Sequence, residues 1–395
     1  MKKLWISGFL LMGLCAACGA QSLEDLNIEM HGYATQGFVY TNQNNWNSAN
    51  STNGSPAWND VVLNVTAQPT PKLRFGAQGR YFQLGNYGNE ITLDWANGDY
   101  KVNDKFGVRF GKVKTPMSLF NELQDIDPAL VWTILPQSIY PLSSRNTLLA
   151  HEGGVVYGTL DAGKKYGSVN YRAWGGERTV SASDGFFQPL RDLGATVPNG
   201  ASGSTYGGAL IWKTPFPGLM LGSSESSTAF SDASVTDTQP TGSGGSLVTI
   251  NGIMHIPSFQ LPIFFGKYER KRMMVAAEHV RAPLTVSFTA PSSNQVALID
   301  HDERGWYGMG TWRFTDKLTA GMYYSSLFDR KVALGTQRYE KDWALSALYY
   351  FNSFLYAKAE QHFVDGTNVG FSSSDNHHGL QETTRMTMLK IGVSF

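Results

Sequence analysis

The sequence predicts an all-β protein: a transmembrane, antiparallel up-and-down β-barrel of about sixteen strands. Three observations carry this. Glycine is abundant at 42 residues, as are aromatics with 10 Trp, 18 Tyr and 22 Phe, while only 16 % of the chain is charged, a balance that favours sheet over helix. Beyond the first twenty or so residues, no apolar run reaches the roughly 18 residues of a spanning helix. Instead, apolar and polar residues alternate at period two in segment after segment, joined by connections that are short and long in turn.

The 32 Lys+Arg balance 32 Asp+Glu, so a basic nucleic-acid binder is excluded. At the N-terminus, Lys2 and Lys3 precede an apolar stretch from Leu4 to Leu14 and small residues through Ala20. This pattern predicts an export leader, residues 1–20, cut after Ala20 with Cys18 and Ala20 at the −3 and −1 positions. Cys15 and Cys18 then leave with it, and residues 21–395 form one barrel domain with no cysteine and no disulfide. The rival reading makes Cys18 a lipidated cysteine, but Leu14 stands one place too far upstream for it.

Taken in order, strands are expected near 26–42, 57–68, 72–84, 90–102, 105–114, 151–161, 165–176 and 204–214. Eight more are expected near 218–229, 258–269, 272–283, 304–314, 317–328, 337–351, 354–365 and 383–395. In the second, Val61, Leu63 and Val65 share a face that Asn64 and Thr66 oppose; in the third, Leu73, Phe75 and Tyr81 oppose Arg74, Gln78 and Arg80. The fourth is the least regular: Ile91, Leu93 and Trp95 share a face, but Ala96, Tyr100 and Val102 imply a bulge and a change of face near Asn97, which leaves counts of 14 or 18 open. Short turns at 68–71, 103–105, 161–164, 215–218, 269–271, 315–317 and 352–353 alternate with mostly longer stretches such as 43–56, 115–150, 177–203, 230–257, 284–303 and 366–382. A soluble β-sandwich has no reason to sort its connections in this way. The last strand alternates Leu389, Ile391, Val393 and Phe395 with Lys390, Gly392 and Ser394 up to the final residue.

That terminal strand resembles the C-terminal signature of Gram-negative outer-membrane barrels, which the barrel-assembly machinery engages through a final Phe, here Phe395. The stretch FGVRFGKVKTPMSLFNELQDID, residues 106–127, is similar to the strand and constriction-loop passage of Gram-negative porins and porin-like proteins of the trimeric diffusion type. WRFTDK at 312–317 and AKAEQHFVDG at 357–366 also resemble porin strands. The resemblance implies an outer-membrane homotrimer in contact with lipid, a water-filled channel for passive diffusion of small hydrophilic solutes, no cofactor, and an inward fold of residues 115–150 after strand five.

The loop's own composition agrees, because Leu119, Phe120, Trp132, Leu135, Tyr140 and their apolar neighbours need cover from water. Strand parity turns Arg74, Arg80, Arg109 and Arg172 inward, and Glu122, Asp125 and Asp127 on the loop are expected to face them across the pore. Opposed charges in a narrow aqueous lumen create a transverse field, so weak anion preference is expected. Glu278, Lys358 and Glu360 are placed on the same inner wall, whereas Lys112 and Lys114 fit it less well. Trp174, Tyr307, Tyr323 and Tyr350 would form an aromatic slide if the channel selected sugars, the reading that competes with general diffusion alongside carboxylates and apolar compounds.

Enzyme readings find little purchase. His151-Glu152 lacks the second histidine of a metalloprotease helix, and His377-His378 lie in a loop without further ligands. No nucleophile elbow or phosphate loop occurs. A barrel enzyme or adhesin is the remaining alternative.

Overall fold

In a computed structural model of the chain, the structure describes residues 26–47, 50–85, 87–241, 246–289 and 296–395. The expected leader, residues 1–20, lies outside them. Sixteen strands form the wall. The first eight are β1 (Glu29–Thr41), β2 (Ser55–Thr70), β3 (Leu73–Leu84), β4 (Tyr87–Asn103), β5 (Phe106–Lys114), β6 (Ala150–Asp161), β7 (Ser168–Val180) and β8 (Ala201–Lys213). The remainder are β9 (Leu219–Phe230), β10 (Phe259–Arg270), β11 (Met273–Thr289), β12 (Val296–Arg313), β13 (Leu318–Asp329), β14 (Tyr339–Tyr350), β15 (Leu355–Gly366) and β16 (Thr383–Ser394). Each pairs antiparallel with the next, and β16 returns to β1 in a register running from Tyr33↔Ser394 to Thr41↔Met386. Phe395 completes the seam: its N–H donates to Gly32 O at 3.0 Å, and Gly32 N–H donates to Phe395 O at 3.1 Å. Closure leaves the wall no unpaired edge, which a sheet in lipid requires.

The alternation sorts side chains as expected. On β16, Leu389, Ile391 and Val393 are exposed on the outer face, while Met386, Met388 and Lys390 are buried inside. Outside, Trp306, Tyr324 and Trp343 stack at centroid distances of 5.4 and 4.9 Å, and Trp312, Tyr349 and Phe351 lie nearer the short turns. Two aromatic levels bracketing an apolar band are the outer signature of a membrane barrel.

Two expectations need correction. The bulge in β4 falls at Asp94, where the register jumps from Gln78↔Trp95 to Gly79↔Leu93, slightly ahead of Asn97; it turns Asp94 inward to bond with Gln78 and Arg145. The stretches 230–257 and 284–303 are not simply loops. Strands Ala233–Thr241 and Ser246–His255 form a hairpin at the long-loop end, with Ala195–Thr196 paired to its first strand, and β11 extends far enough to pair both with its second and with the lengthened β12. Past the lipid band the two faces of a strand no longer meet opposite solvents, so the period-two signal fades although backbone pairing continues.

Candidate functional site

Residues 115–149 connect β5 to β6 and leave the wall at its inner side. Pro116 has no N–H to donate and ends the ladder. Thr115 N–H donates to Leu149 O at 2.8 Å, and Asn121 Nδ2 reaches Thr115 O, Leu148 O and Leu149 O at 2.8, 3.2 and 3.3 Å. One amide side chain thus closes the neck of the loop.

From the neck the loop crosses to the opposite wall. Leu119 N–H donates to Glu278 Oε2 on β11 at 2.9 Å, and the hydroxyls of Tyr140 and Tyr307 both donate to Glu278 Oε1. Farther on, Glu360 on β15 accepts the amides of Thr133 and Ile134 at 2.8 and 3.1 Å, and Ser346 on β14 donates to Val131 O at 2.8 Å. Phe120, Trp132, Leu135 and Tyr140 pack into the same buried cluster as Val155, Trp174, Tyr307 and Tyr323. Trp132 meets Tyr323 edge-on at 5.0 Å, and Gly321 beneath it leaves no alternative, since a Cβ there would come within 2.8 Å of the indole. The apolar content therefore does what the sequence expected of it, hiding against the inner wall. The aromatics read as a slide lie under the loop instead: Tyr307 and Tyr323 are fully buried, Trp174 nearly so, and Tyr350 donates to Pro128 O. The three tyrosines hold the loop rather than face a solute.

The charges do not oppose one another as one field. Glu122 does face Arg109 and Arg172, with Arg109 Nη1 at 3.2 Å from Oε1 and Arg172 on Oε2, and Arg109 Nε also bonds Asp99 at 2.8 Å. Asp125 pairs instead with Lys114 and Gln78, at 2.6 Å to each. Lys114 was set aside on parity, but it is the last residue of β5, where the chain leaves the sheet and parity ceases to direct the side chain. Asp127 crosses to the far wall, with Lys358 Nζ at 3.0 Å, Lys390 Nζ at 2.8 Å and the Tyr356 hydroxyl at 2.8 Å. Arg80 is locked in a bidentate pair with Asp60 at 2.7 and 2.9 Å, and exposed Arg74 reaches Thr66 at 3.4 Å. Lys358, Glu360 and Glu278 are buried against the loop.

Exposure separates these groups. The side chains of Arg109, Asp99, Glu122 and Arg172 keep 30, 23, 27 and 28 % exposure, whereas those of Arg80, Asp60, Asp127 and Lys390 keep 8 % or less. Burial alone would push the Asp127 carboxyl up, but the two ammonium groups outweigh it and hold the group below the usual carboxylate range. Arg145, which the sequence did not single out, clamps Asp94 with two bonds of 3.0 and 2.7 Å. Between loop and wall remains a cavity of about 60 Å³, lined by Asp60, Arg80, Asp127, Arg145 and Lys390 among others.

His151 is spent on the neck, its Nδ1 lying 3.0 Å from Thr115 Oγ1. Among the described residues, His301, Glu303 and Asp329 bring one donor atom each within 4.8 Å at the long-loop end. They come from β12 and β13, so their convergence was not visible in sequence.

No protein-family model matches this chain, and no curated protein sequence does. Solved structures do. OmpF of Salmonella typhi, in complex with daunomycin, aligns with a TM-score of 0.58 at 11 % identity, covering 95 % of this chain and 100 % of that one. An anion-selective porin from Comamonas acidovorans gives 0.53 at 10 %, covering 93 and 99 %. A trimer form of in-vitro folded OmpT from Vibrio cholerae gives 0.51 at 14 %, again covering 93 and 99 %. At such identities the likeness is one of fold.

Proposed function

Since this chain has the fold of the outer-membrane porins, we propose that it is a non-enzymatic, water-filled channel of the Gram-negative outer membrane, passing small hydrophilic solutes and ions by diffusion. Loop 115–149 narrows it. The observation that carries this reading is the contrast in exposure among the inward charges: Glu122, Arg109, Arg172 and Asp99 stay in contact with water, while the other ion pairs bind the loop to the wall. A solute in the lumen meets the exposed group. Two arginines against two carboxylates give little net charge, so selectivity is weak, and Arg74 at the wall tips it towards anions. Purified protein in a planar bilayer should show stepwise conductance, and a silent barrel would overturn the reading.

One observation favours a solute-selective form of the same channel. The loop is anchored on both walls, by Asp125 on one side and by Glu278, Glu360 and Asp127 on the other, which leaves less lumen than attachment to a single wall. Saturable block of the current by one solute class would establish that form; linear dependence on concentration would exclude it.

The assembly we propose is a homotrimer, as in the trimer form of the similar Vibrio cholerae protein. Export by the leader 1–20 and insertion through the Phe395 strand complete the reading. Unboiled protein should migrate at roughly three times the 43.4 kDa of the chain.

A further inference from the structure

We propose that the inner wall of β7 to β9 carries a binding subsite for a small organic monocarboxylate, centred on Arg178. This residue is 1 % exposed, and its Nε, Nη1 and Nη2 all lack a hydrogen-bond partner among the described residues. A buried guanidinium without a counter-charge is costly, and elsewhere this barrel avoids the cost: Arg80 is clamped on Asp60 and Arg145 on Asp94. Among the described residues no acid pairs with Arg178. The β6–β7 register ends at Glu152↔Glu177, and one step beyond it the inner-face neighbour of Arg178 is His151, which is buried and offers no negative charge. Glu152 and Glu177 occupy the opposite, outer face and are exposed. On β8 the partner of Arg178 is Gly203, which offers no side chain.

Two more buried donors on the same face lack partners, Trp174 Nε1 and Ser226 Oγ. Gly207 separates them in register, pairing with Trp174 on one side and Ser226 on the other. The indole lies across Gly207, where an added Cβ would come within 2.3 Å of Trp174 Cζ2. Between Trp174 and Arg178 stands Gly176, where a Cβ would collide with Glu152 O at 2.1 Å, and its partner on β8 is buried Thr205, whose hydroxyl accepts from Thr228 on β9 at 3.0 Å. The inner face thus carries an unpaired guanidinium at one level and an unpaired indole N–H and hydroxyl at a neighbouring level, with the bonded Thr205–Thr228 pair between them, on a wall whose buried cluster includes Val180, Phe187, Val197 and Ala201.

The chemistry of this surface selects its ligand. A planar guanidinium fork matches a carboxylate in two parallel bonds, and one positive charge balances one negative charge. Phosphate, a mixture of mono- and dianion near neutral pH, carries more than one negative charge on average and would leave part of it uncompensated against apolar walls. The indole and the aliphatic border suit the organic part of the ligand. The subsite adjoins the loop neck through His151, so it lies beside the solute path. It deepens the channel reading only in how the ligand arrives, and binding is measured without conductance, so failure of one is distinguishable from failure of the other.

The test is calorimetric titration of the detergent-solubilised full chain with cyclohexanecarboxylate at constant ionic strength, with chloride and inorganic phosphate as comparison anions. Saturable binding at least ten-fold tighter than phosphate is expected, with about ten-fold weakening in Arg178→Lys and loss in Arg178→Gln. Equal binding of all three anions, no saturation, or full binding by Arg178→Gln would each overturn the proposal: the first means an unselective anion site, the second that Arg178 is satisfied by water alone, and the third that binding lies elsewhere. Should Arg178→Gln not fold, tryptophan fluorescence decides: the ligand should alter the emission of the unmodified protein and leave that of Trp174→Phe unchanged. A ligand-induced emission change in Trp174→Phe as large as that of the unmodified protein counts against the subsite.

Discussion

Asp127 Oδ1 and Lys390 Nζ lie 2.8 Å apart although 263 positions separate them, and this bond ties the inserted loop to the strand that closes the barrel. Lys358 completes the arrangement from β15, donating both to the Asp127 carboxylate and to the carbonyls of Asp127 and Trp132. Closure of the wall and placement of the loop are therefore linked through a single carboxylate.

Asp127→Asn should release the loop without opening the barrel. It leaves two ammonium groups buried with no counter-charge, a change that costs about 3–5 kcal/mol. Limited proteolysis within 115–149 should accelerate, while the sheet signal in circular dichroism stays unchanged. Equal protease resistance in the two proteins would mean that the apolar contacts of Trp132 and Tyr140 suffice.

The same carboxylate sets an acid limit. Its pKa is lower in the folded protein than in the unfolded chain, near 3.9. Its contribution is thus complete above about pH 4 and is lost as pH falls from there towards the folded value. Loop protection should be flat from about pH 7 to pH 5 and decline below about pH 4. In Asp127→Asn the acid-dependent step should vanish, and its persistence would assign it to other carboxylates.

Selectivity should depend on the exposed arginines and not on the buried one. Arg109→Ala with Arg172→Ala removes two charges from the water-facing cluster and should shift the reversal potential towards cations, most at low salt where screening is least. Arg80→Ala should leave the reversal potential nearly unchanged yet cost about 3–5 kcal/mol, because Asp60 is left buried and unpaired. A large shift in Arg80→Ala would place the conducting path beside Asp60.

Asn121→Ala should loosen the neck. Three carbonyls lose their donor, at a cost of about 1–3 kcal/mol, and single-channel records should become noisier as the loop fluctuates. Asn121→Asp should not restore quiet records, since an ionised carboxylate donates nothing to carbonyls.

The strand count, the outward faces and the inward turn of residues 115–149 were legible because lipid, wall and water impose a period-two pattern that any reader of the chain can count. Leu389, Ile391 and Val393 face out because they alternate, whatever else the protein does. Glu122 with Arg109 was within reach of the same reading, since Glu122 stands only a few residues after the end of β5.

The remaining partnerships depend on distance across the barrel, which no local pattern encodes. Asp127 and Lys390, Glu278 and Tyr140, and Glu360 and Thr133 lie far apart in sequence, and only closure of the sheet sets each pair on facing surfaces. Parity told which way Arg80 points but not that Asp60, on the neighbouring strand two residues from its register partner Val62, takes its charge. It likewise turned Arg178 and Trp174 inward without telling which would find a partner. Sequence determined the wall because each residue answers to its own solvent; tertiary structure decided the interior because there each charge answers to whichever group closure brings near.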